Sequence, residues 1–187
     1  MLARRPGRGG VSGGGLPVLV PIAEIVVRLG EPVDFGVTRD GRRRCTPVLG
    51  GELTWFGIGA LAPVAGGGIG GVGGATQAAA PNVLRNVRAQ ILHGGGDRQL
   101  VRVDPATGDE VVEIDARYDA VSDAGAPIGI RASGVRRHPS GGASAYFRVA
   151  VRFETADPAL GELQNALFVA DGARLAREVR HTVYLVG

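Results

Sequence analysis

Apolar and polar residues alternate with a period of two along most of the second half of the chain, which is the spacing of β-strands with one buried face. The alternation recurs in residues 111–118, 145–155 and 179–185. Sequences rich in Asp, Pro and Gly, such as DPATGD, SDAGAP and HPSGG, separate these segments and are typical of turns. The pattern predicts an all-β fold, either an antiparallel barrel or a sandwich.

The first half of the chain is less regular. A near-continuous apolar run over residues 18–29 predicts a buried first strand, and residues 33–39 predict a second, short one. Residues 81–92 and 157–166 favour one or two short helices. Residues 1–16 form a basic, glycine-rich arm that we expect to be disordered, so the barrel domain is expected to span residues 17–187.

A glycine-rich insertion occupies residues 53–87. A segment this long is usually functional or disordered, and Trp55 on it is a candidate to cover the mouth of the barrel and bind substrate. Gly68, Gly70 and Gly73 satisfy the G-x-G-x-x-G pattern, but the first carboxylate that follows them is Asp97, and helices do not alternate with strands. We therefore interpret the glycines as low-complexity sequence and expect no nucleotide cofactor.

Composition narrows the class of protein further. The 187 residues are 44% hydrophobic without an uninterrupted apolar run of about 18 residues, which predicts a protein without a membrane span. A single cysteine, Cys45, excludes an internal disulfide and fits the cytoplasm. All 21 basic residues are arginine, which removes lysine-based covalent catalysis. Eight of these arginines lie within residues 1–50 with four acids, so the excess charge belongs to the arm, and nucleic-acid binding is not expected.

Asp97 is the strongest candidate for chemistry. It directly follows three glycines, so its backbone is able to approach a ligand closely, and an apolar cavity would raise the pKa of its carboxyl as a general acid or base requires. The alternative is an aspartate that hydrogen-bonds its turn. Gln99 lies on the same strand face and is a candidate anchor for a substrate carbonyl.

Polar residues on other predicted strands extend this set. Arg117 and Arg148 are candidate catalytic contacts for an oxyanion, and Asp115, Tyr118 and Tyr146 are candidate substrate-binding residues. Asp115 and Arg117 equally suit a surface ion pair, Tyr118 falls on an apolar face that favours core packing, and Tyr146 and Arg148 suit an outward ladder. The three histidines are too far apart in sequence to predict a metal site, and His181 is favoured as a core histidine.

Nine short motifs, in order along the chain, resemble the bacterial and fungal family called domain of unknown function 3237. They cover roughly residues 18–52 and 88–187: Gly50-Gly51, GGDRQ (95–99), DARY (115–118), DAGAPI (123–128), SGVR (133–136), YFR (146–148), FETADP (153–158), FVADGAR (168–174) and VYLV (183–186). The resemblance implies a lipocalin-like antiparallel β-barrel with an internal pocket, and a role in natural-product pathways. Arg98 and the Leu163-Gln164-Asn165 segment depart from the family pattern, as does the insertion.

Together these features predict a cofactor-independent enzyme that binds a largely apolar small molecule in a β-barrel and promotes its cyclisation, isomerisation or hydrolysis. Two alternatives stay open: a non-catalytic carrier of lipophilic molecules with the same barrel, and an interaction protein that uses the arginine-rich arm. No membrane or nucleic-acid partner is expected, and association into a homo-oligomer is left open.

Overall fold

The strand pattern closes on itself in the computed structural model, which describes residues 16–56, 87–139 and 146–187. These residues form ten strands and one 3-10 helix: β1 (Leu19–Leu29), β2 (Val33–Thr38), β3 (Gly41–Trp55), β4 (Arg88–Ile91), β5 (Gly96–Val103), β6 (Glu110–Ser122), β7 (Pro127–His138), β8 (Tyr146–Glu154), the 3-10 helix (Pro158–Gln164), β9 (Phe168–Arg174) and β10 (Glu178–Val186).

Antiparallel pairing runs from β1 through β10, β9, β8 and β7 to β6. Strands β4 and β5 then share one position in the ring, because both pair with β6 on one side and with β3 on the other. Pairing of β3 with β1 closes the ring, so the barrel has eight strand positions. Strand β2 pairs with the start of β3 as a hairpin. The predicted all-β antiparallel barrel is confirmed.

The barrel interior has two chemically different halves. Where β3 and β8 end, the interior is filled by what we call the aromatic plug, in which Phe153 packs against Trp55 and Phe168 at centroid distances of 5.8 and 5.4 Å. Leu160 and Leu163 of the 3-10 helix are buried at the same end. The other half, toward the start of β3 and the ends of β7 and β9, carries buried polar side chains. Any interior chemistry therefore belongs to this polar half.

The structure differs from the sequence-based expectation at two elements. Residues 88–91, expected to be helical, form β4, because Ala89 and Ile91 point into the core while the backbone pairs with strands on both sides. Residues 53–55, assigned to the insertion, complete β3, and Trp55 is fully buried in the core instead of lying on a loop. The predicted helix over residues 157–166 is present as the 3-10 helix.

Several expectations concern residues outside the described part of the chain. They are the disordered state of the arm over residues 1–15, the course of the insertion over residues 57–86, and the helical state of residues 81–86. In the three described ranges, no helix is both long enough and apolar enough to cross a membrane.

Candidate functional site in the polar half of the barrel

The turn before β5 fixes Asp97 inside the barrel. Val48 clamps this turn, since its N–H donates to the Gly95 carbonyl and its own carbonyl accepts from the Gly94 N–H at 3.1 Å. Gly95 has φ +71°, and a Cβ at this position would lie 2.2 Å from the Arg117 carbonyl oxygen. Glycine therefore lets β5 start directly against β6. Asp97 follows with its side chain inward, and the residue is 9% exposed.

The Asp97 carboxyl is only partly satisfied. Gln99 Nε2 donates to Asp97 Oδ2 at 2.5 Å. The other oxygen, Oδ1, is buried and has no hydrogen-bond partner among the described residues. Burial raises the pKa of Asp97, and the Gln99 hydrogen bond and the positive charges of Arg136 and Arg174 oppose that rise. The carboxyl thus holds its proton more strongly than an exposed aspartic acid does.

A cavity of about 30 Å³ adjoins Asp97, Tyr118 and His181. Tyr118 Oη and His181 Nδ1 are, like Asp97 Oδ1, buried without a hydrogen-bond partner in the described part of the chain. The remaining lining is apolar: Val27, Leu29, Val48, Ile114, Ala116, Ala132, Phe147 and Val179. The cavity has room for one or two groups the size of a water molecule. Three polar residues with an unsatisfied atom border one small cavity, an arrangement suited to a polar group entering it.

Burial keeps Tyr118 and His181, which line the same cavity as Asp97, uncharged near neutral pH. It raises the pKa of the Tyr118 hydroxyl, and the nearby Asp97 adds to the rise. It also lowers the pKa of His181 to about 4, although interactions with Asp171 partly oppose this. The Phe147 ring stands edge-on to His181 at 5.1 Å between centroids. Tyr118 therefore offers a hydroxyl donor and His181 a neutral imidazole.

Three arginines lie at the polar end of the barrel, at the start of β3 and near the ends of β7 and β9. Arg136 is 7% exposed, and its guanidinium lies 5.9 Å from the centroid of the Phe147 ring. Arg44 and Arg174 are half-buried. Burial is the main cause that lowers the pKa of both Arg136 and Arg174. Neighbouring arginines lower both values further, whereas the charge of Asp97 opposes this fall in each. We call Arg44, Arg136 and Arg174 the interior arginine cluster.

The structure separates the sequence-predicted residues into three groups. Asp97, Gln99 and Tyr118 share the polar half of the interior, whereas Trp55 belongs to the aromatic plug. The other four candidates lie on the outer face of the barrel: Asp115, Arg117, Tyr146 and Arg148.

Contacts on the outer face account for these four residues. Asp115 lies 3.1 Å from Arg131 and 3.6 Å from Arg117. Arg148 bonds Asp171 at 2.5 Å and lies over the Tyr146 ring. Successive strand residues point to opposite faces, so Arg117 and Arg148 point away from Asp97. They cannot act with Asp97 on one interior ligand.

His181 and the interior arginine cluster were not among the sequence-based candidates. The sequence does indicate where the arginines of β7 and β9 point, because every second residue of a strand lies on the same face. Arg136 shares its face of β7 with Ile128, Ile130 and Ala132. Arg174 shares its face of β9 with Phe168 and Ala170. When a charged residue at the end of a strand continues the every-second-residue pattern of buried apolar residues, we expect it to face the barrel interior. Among the described residues, no three His, Cys, Asp or Glu side chains cluster as a metal site requires.

Fold and interior together define an antiparallel β-barrel protein with a buried polar site at one end. The chain belongs to the family described as protein of unknown function (DUF3237), whose model matches residues 17–186. This membership confirms the resemblance drawn from the nine motifs.

Individual proteins are similar to this chain in sequence or in fold. A UPF0311 protein of Rhodopseudomonas palustris is 29% identical over 174 residues, which cover 87% of this chain and 92% of the relative. A β-barrel-like protein of Acinetobacter baumannii is 24% identical in its crystal structure, with a TM-score of 0.67 and coverage of 94% and 99% of the two chains. An enzyme from Penicillium herquei shares the fold at 15% identity and a TM-score of 0.56, over the full length of both chains.

Proposed function

We propose that this protein is a cofactor-independent enzyme that moves protons on a small, largely apolar molecule whose polar group enters the cavity beside Asp97. The observation that carries the proposal is that three residues lining the 30 Å³ cavity each have a buried polar atom without a partner among the described residues: Asp97 Oδ1, Tyr118 Oη and His181 Nδ1. Natural proteins rarely leave buried polar atoms unpaired, and functional sites are a common exception.

Asp97 is the proton donor and acceptor in this proposal. Its raised pKa brings its protonation equilibrium closer to neutral pH, where proton transfer in both directions is efficient. Tyr118 donates a hydrogen bond to the substrate oxygen on which negative charge develops, and His181 positions the same group. Isomerisation or cyclisation moves a proton within one molecule and needs no co-reactant, whereas hydrolysis consumes one water, for which the cavity has room.

Further support comes from the fold and from the cysteine content. A Penicillium herquei protein described as an enzyme shares this fold, which supports a catalytic role. A role in natural-product biosynthesis remains a prediction from the motif resemblance. A cytoplasmic location also stays a prediction, favoured by the free Cys45.

Proton exchange on an enolisable apolar ketone tests the proposal. We would incubate 2-tetralone with the protein in D2O and follow deuterium incorporation next to the carbonyl by NMR, together with binding from protein chemical shifts. The Asp97→Asn variant should bind the ketone and lose the exchange. Asp119→Asn is the matched control, because it removes an exposed carboxylate from the adjacent strand.

Each other result has a defined meaning. Equal exchange in the wild type and in Asp97→Asn would show that Asp97 is structural. Equal binding without exchange in either protein would instead favour the carrier of lipophilic molecules.

A further inference from the structure

The interior arginine cluster carries more positive charge than the surrounding residues neutralise. Arg44, Arg136 and Arg174 form no ion pair with any carboxylate of the described residues. Asp97 and Glu110 are the carboxylates whose charge reaches Arg136, and burial holds Asp97 toward its protonated form. Three fixed cations therefore face at most two anions in a largely buried setting.

The residues outside the described ranges supply no carboxylate that would neutralise the remaining positive charge of the cluster. Residues 1–15, 57–86 and 140–145 contain neither Asp nor Glu. Whatever their course, these segments bring no side-chain anion to the barrel end. An anion from outside the chain would complete the balance.

The interior arginine cluster also contains buried hydrogen-bond donors that are available to a ligand. Arg136 is more than nine-tenths buried on the inward face of β7, and its Nε has no hydrogen-bond partner among the described residues. The Nε of Arg44 is likewise buried and unpaired within the same set. A buried guanidinium nitrogen without a hydrogen-bond partner is costly, and a bound oxyanion accepting its N–H group offsets that cost.

We propose that Arg44, Arg136 and Arg174 bind the oxyanion group, a carboxylate or a phosphate, of a small molecule whose other end reaches the cavity beside Asp97. The planar fork of arginine fits both groups through paired hydrogen bonds. This inference rests on the proposed function and adds the substrate class to it. The substrate is an amphiphilic anion, held by its charged end while the proton is moved next to the oxygen that Tyr118 contacts.

Matched ligands that differ in one group test the charge requirement. We would measure the affinity of 1-naphthoate, 1-naphthyl phosphate and neutral 1-naphthamide by calorimetry, at low and high salt, with inorganic phosphate as a body-free anion. In the wild type at least one naphthyl anion should bind about 10-fold to 100-fold more tightly than the amide. The tighter of the two anions identifies the carboxylate or the phosphate as the natural group.

Arginine variants assign the effect to the cluster. Arg136→Met and Arg174→Met should each remove most of the preference for the anion and leave the amide affinity unchanged. Arg174 is half-buried, which keeps the test valid if the Arg136 variant does not fold. Arg152→Met is the control, because it removes an equal charge from the outer face of β8, where Arg152 forms no ion pair with the described residues.

Several outcomes would overturn the inference. It fails if the wild type does not prefer either naphthyl anion, if inorganic phosphate and both naphthyl anions all fail to bind, or if Arg152→Met changes the preference as much as Arg136→Met does. The proposed function fails separately, through unchanged proton exchange in the Asp97→Asn variant. That variant should keep its preference for the anion, so the two failures are distinguishable.

Discussion

Asp97 and His181 border the same cavity, and burial favours the neutral form of each. Burial raises the pKa of a carboxylic acid and lowers that of an imidazole, because both charged forms lose solvation. The cavity therefore presents hydrogen-bonding groups whose neutral form is favoured. The positive charge of the interior arginine cluster lies at the nearby end of the barrel. This division separates proton transfer from anchoring of the substrate.

Replacing Asp97 by Asn should increase stability relative to the wild type as pH rises. The folded-state pKa of Asp97 is raised, so the stability that its bound proton contributes is present below the ordinary value of about 3.9 and is lost as pH rises through the folded-state pKa. The Asp97→Asn variant has no carboxyl to ionise. Urea unfolding of both proteins between about pH 4 and 8 measures the difference. Parallel pH profiles, or a relative loss in the variant at higher pH, would contradict the raised pKa.

His181 should make the protein sensitive to acid. Its pKa falls from 6.5 to about 4 on folding, so the unfolded chain binds the proton more readily between these values. The wild type should lose about 3 kcal/mol of its free energy of unfolding through this residue as pH drops across that range. The His181→Gln variant should lack this component, so the stability difference between the two proteins narrows toward pH 4. A constant difference would show that His181 titrates normally.

Sequence reasoning found part of the site and missed the rest for a geometric reason. The glycines before Asp97 identify a close backbone approach, and alternation along β6 places Tyr118 on the buried face. Arg136 and Arg137 are adjacent, so period two sends one inward and the other outward. The buried residues Ile128, Ile130 and Ala132 indicate that Arg136 is the inward one only if β7 continues without a bulge as far as His138. The sequence alone does not establish that continuity.

At the scale of elements, the turn that leads into β5 sets the position of Asp97. Gly95 and Gly108 have nearly the same φ, +71° and +75°. A Cβ at Gly95 meets the Arg117 carbonyl, whereas one at Gly108 meets nothing within 4 Å. The two positions therefore separate backbone strain from crowding.

Gly95→Ala should cost about 2 kcal/mol more than Gly108→Ala in free energy of unfolding, because only the first adds a steric clash to the strain of a positive φ. Urea unfolding curves measure both losses. The Gly95→Ala variant should also weaken proton exchange by displacing Asp97, while Gly108→Ala keeps it. Similar losses in both variants would mean that the turn relaxes around the added methyl group.

Long strands could be predicted from the sequence, whereas the conformation of a short strand is decided by the strands it pairs with. Strands β6, β8 and β10 have nine or more residues of clear alternation, enough to define a face. Strand β4 has four residues, too few to distinguish a strand from a helical turn. Pairing with β3 and β6 decides its conformation, and a local sequence pattern does not contain that information.

At the scale of the whole molecule, we expect the aromatic plug to contribute mainly to stability and the polar half of the barrel mainly to ligand binding. Trp55→Ala removes the largest side chain of the aromatic plug and should cost about 3–5 kcal/mol in free energy of unfolding. Binding of the naphthyl anions by the folded variant should remain within a few-fold of the wild type, because the interior arginine cluster lies at the opposite end of the barrel. Trp55→Phe is the control and should cost less. A large loss of anion binding in the folded Trp55→Ala variant would show that the halves are coupled.

The plug also gives the protein a built-in optical reporter. Trp55 is the only tryptophan among 187 residues, and its indole is fully buried against Phe153. Its fluorescence therefore arises from one apolar location, and a shift of the emission to longer wavelength marks the entry of water into that half. Followed alongside strand content by circular dichroism, the emission distinguishes local opening of the plug from unfolding of the barrel without any added dye or label.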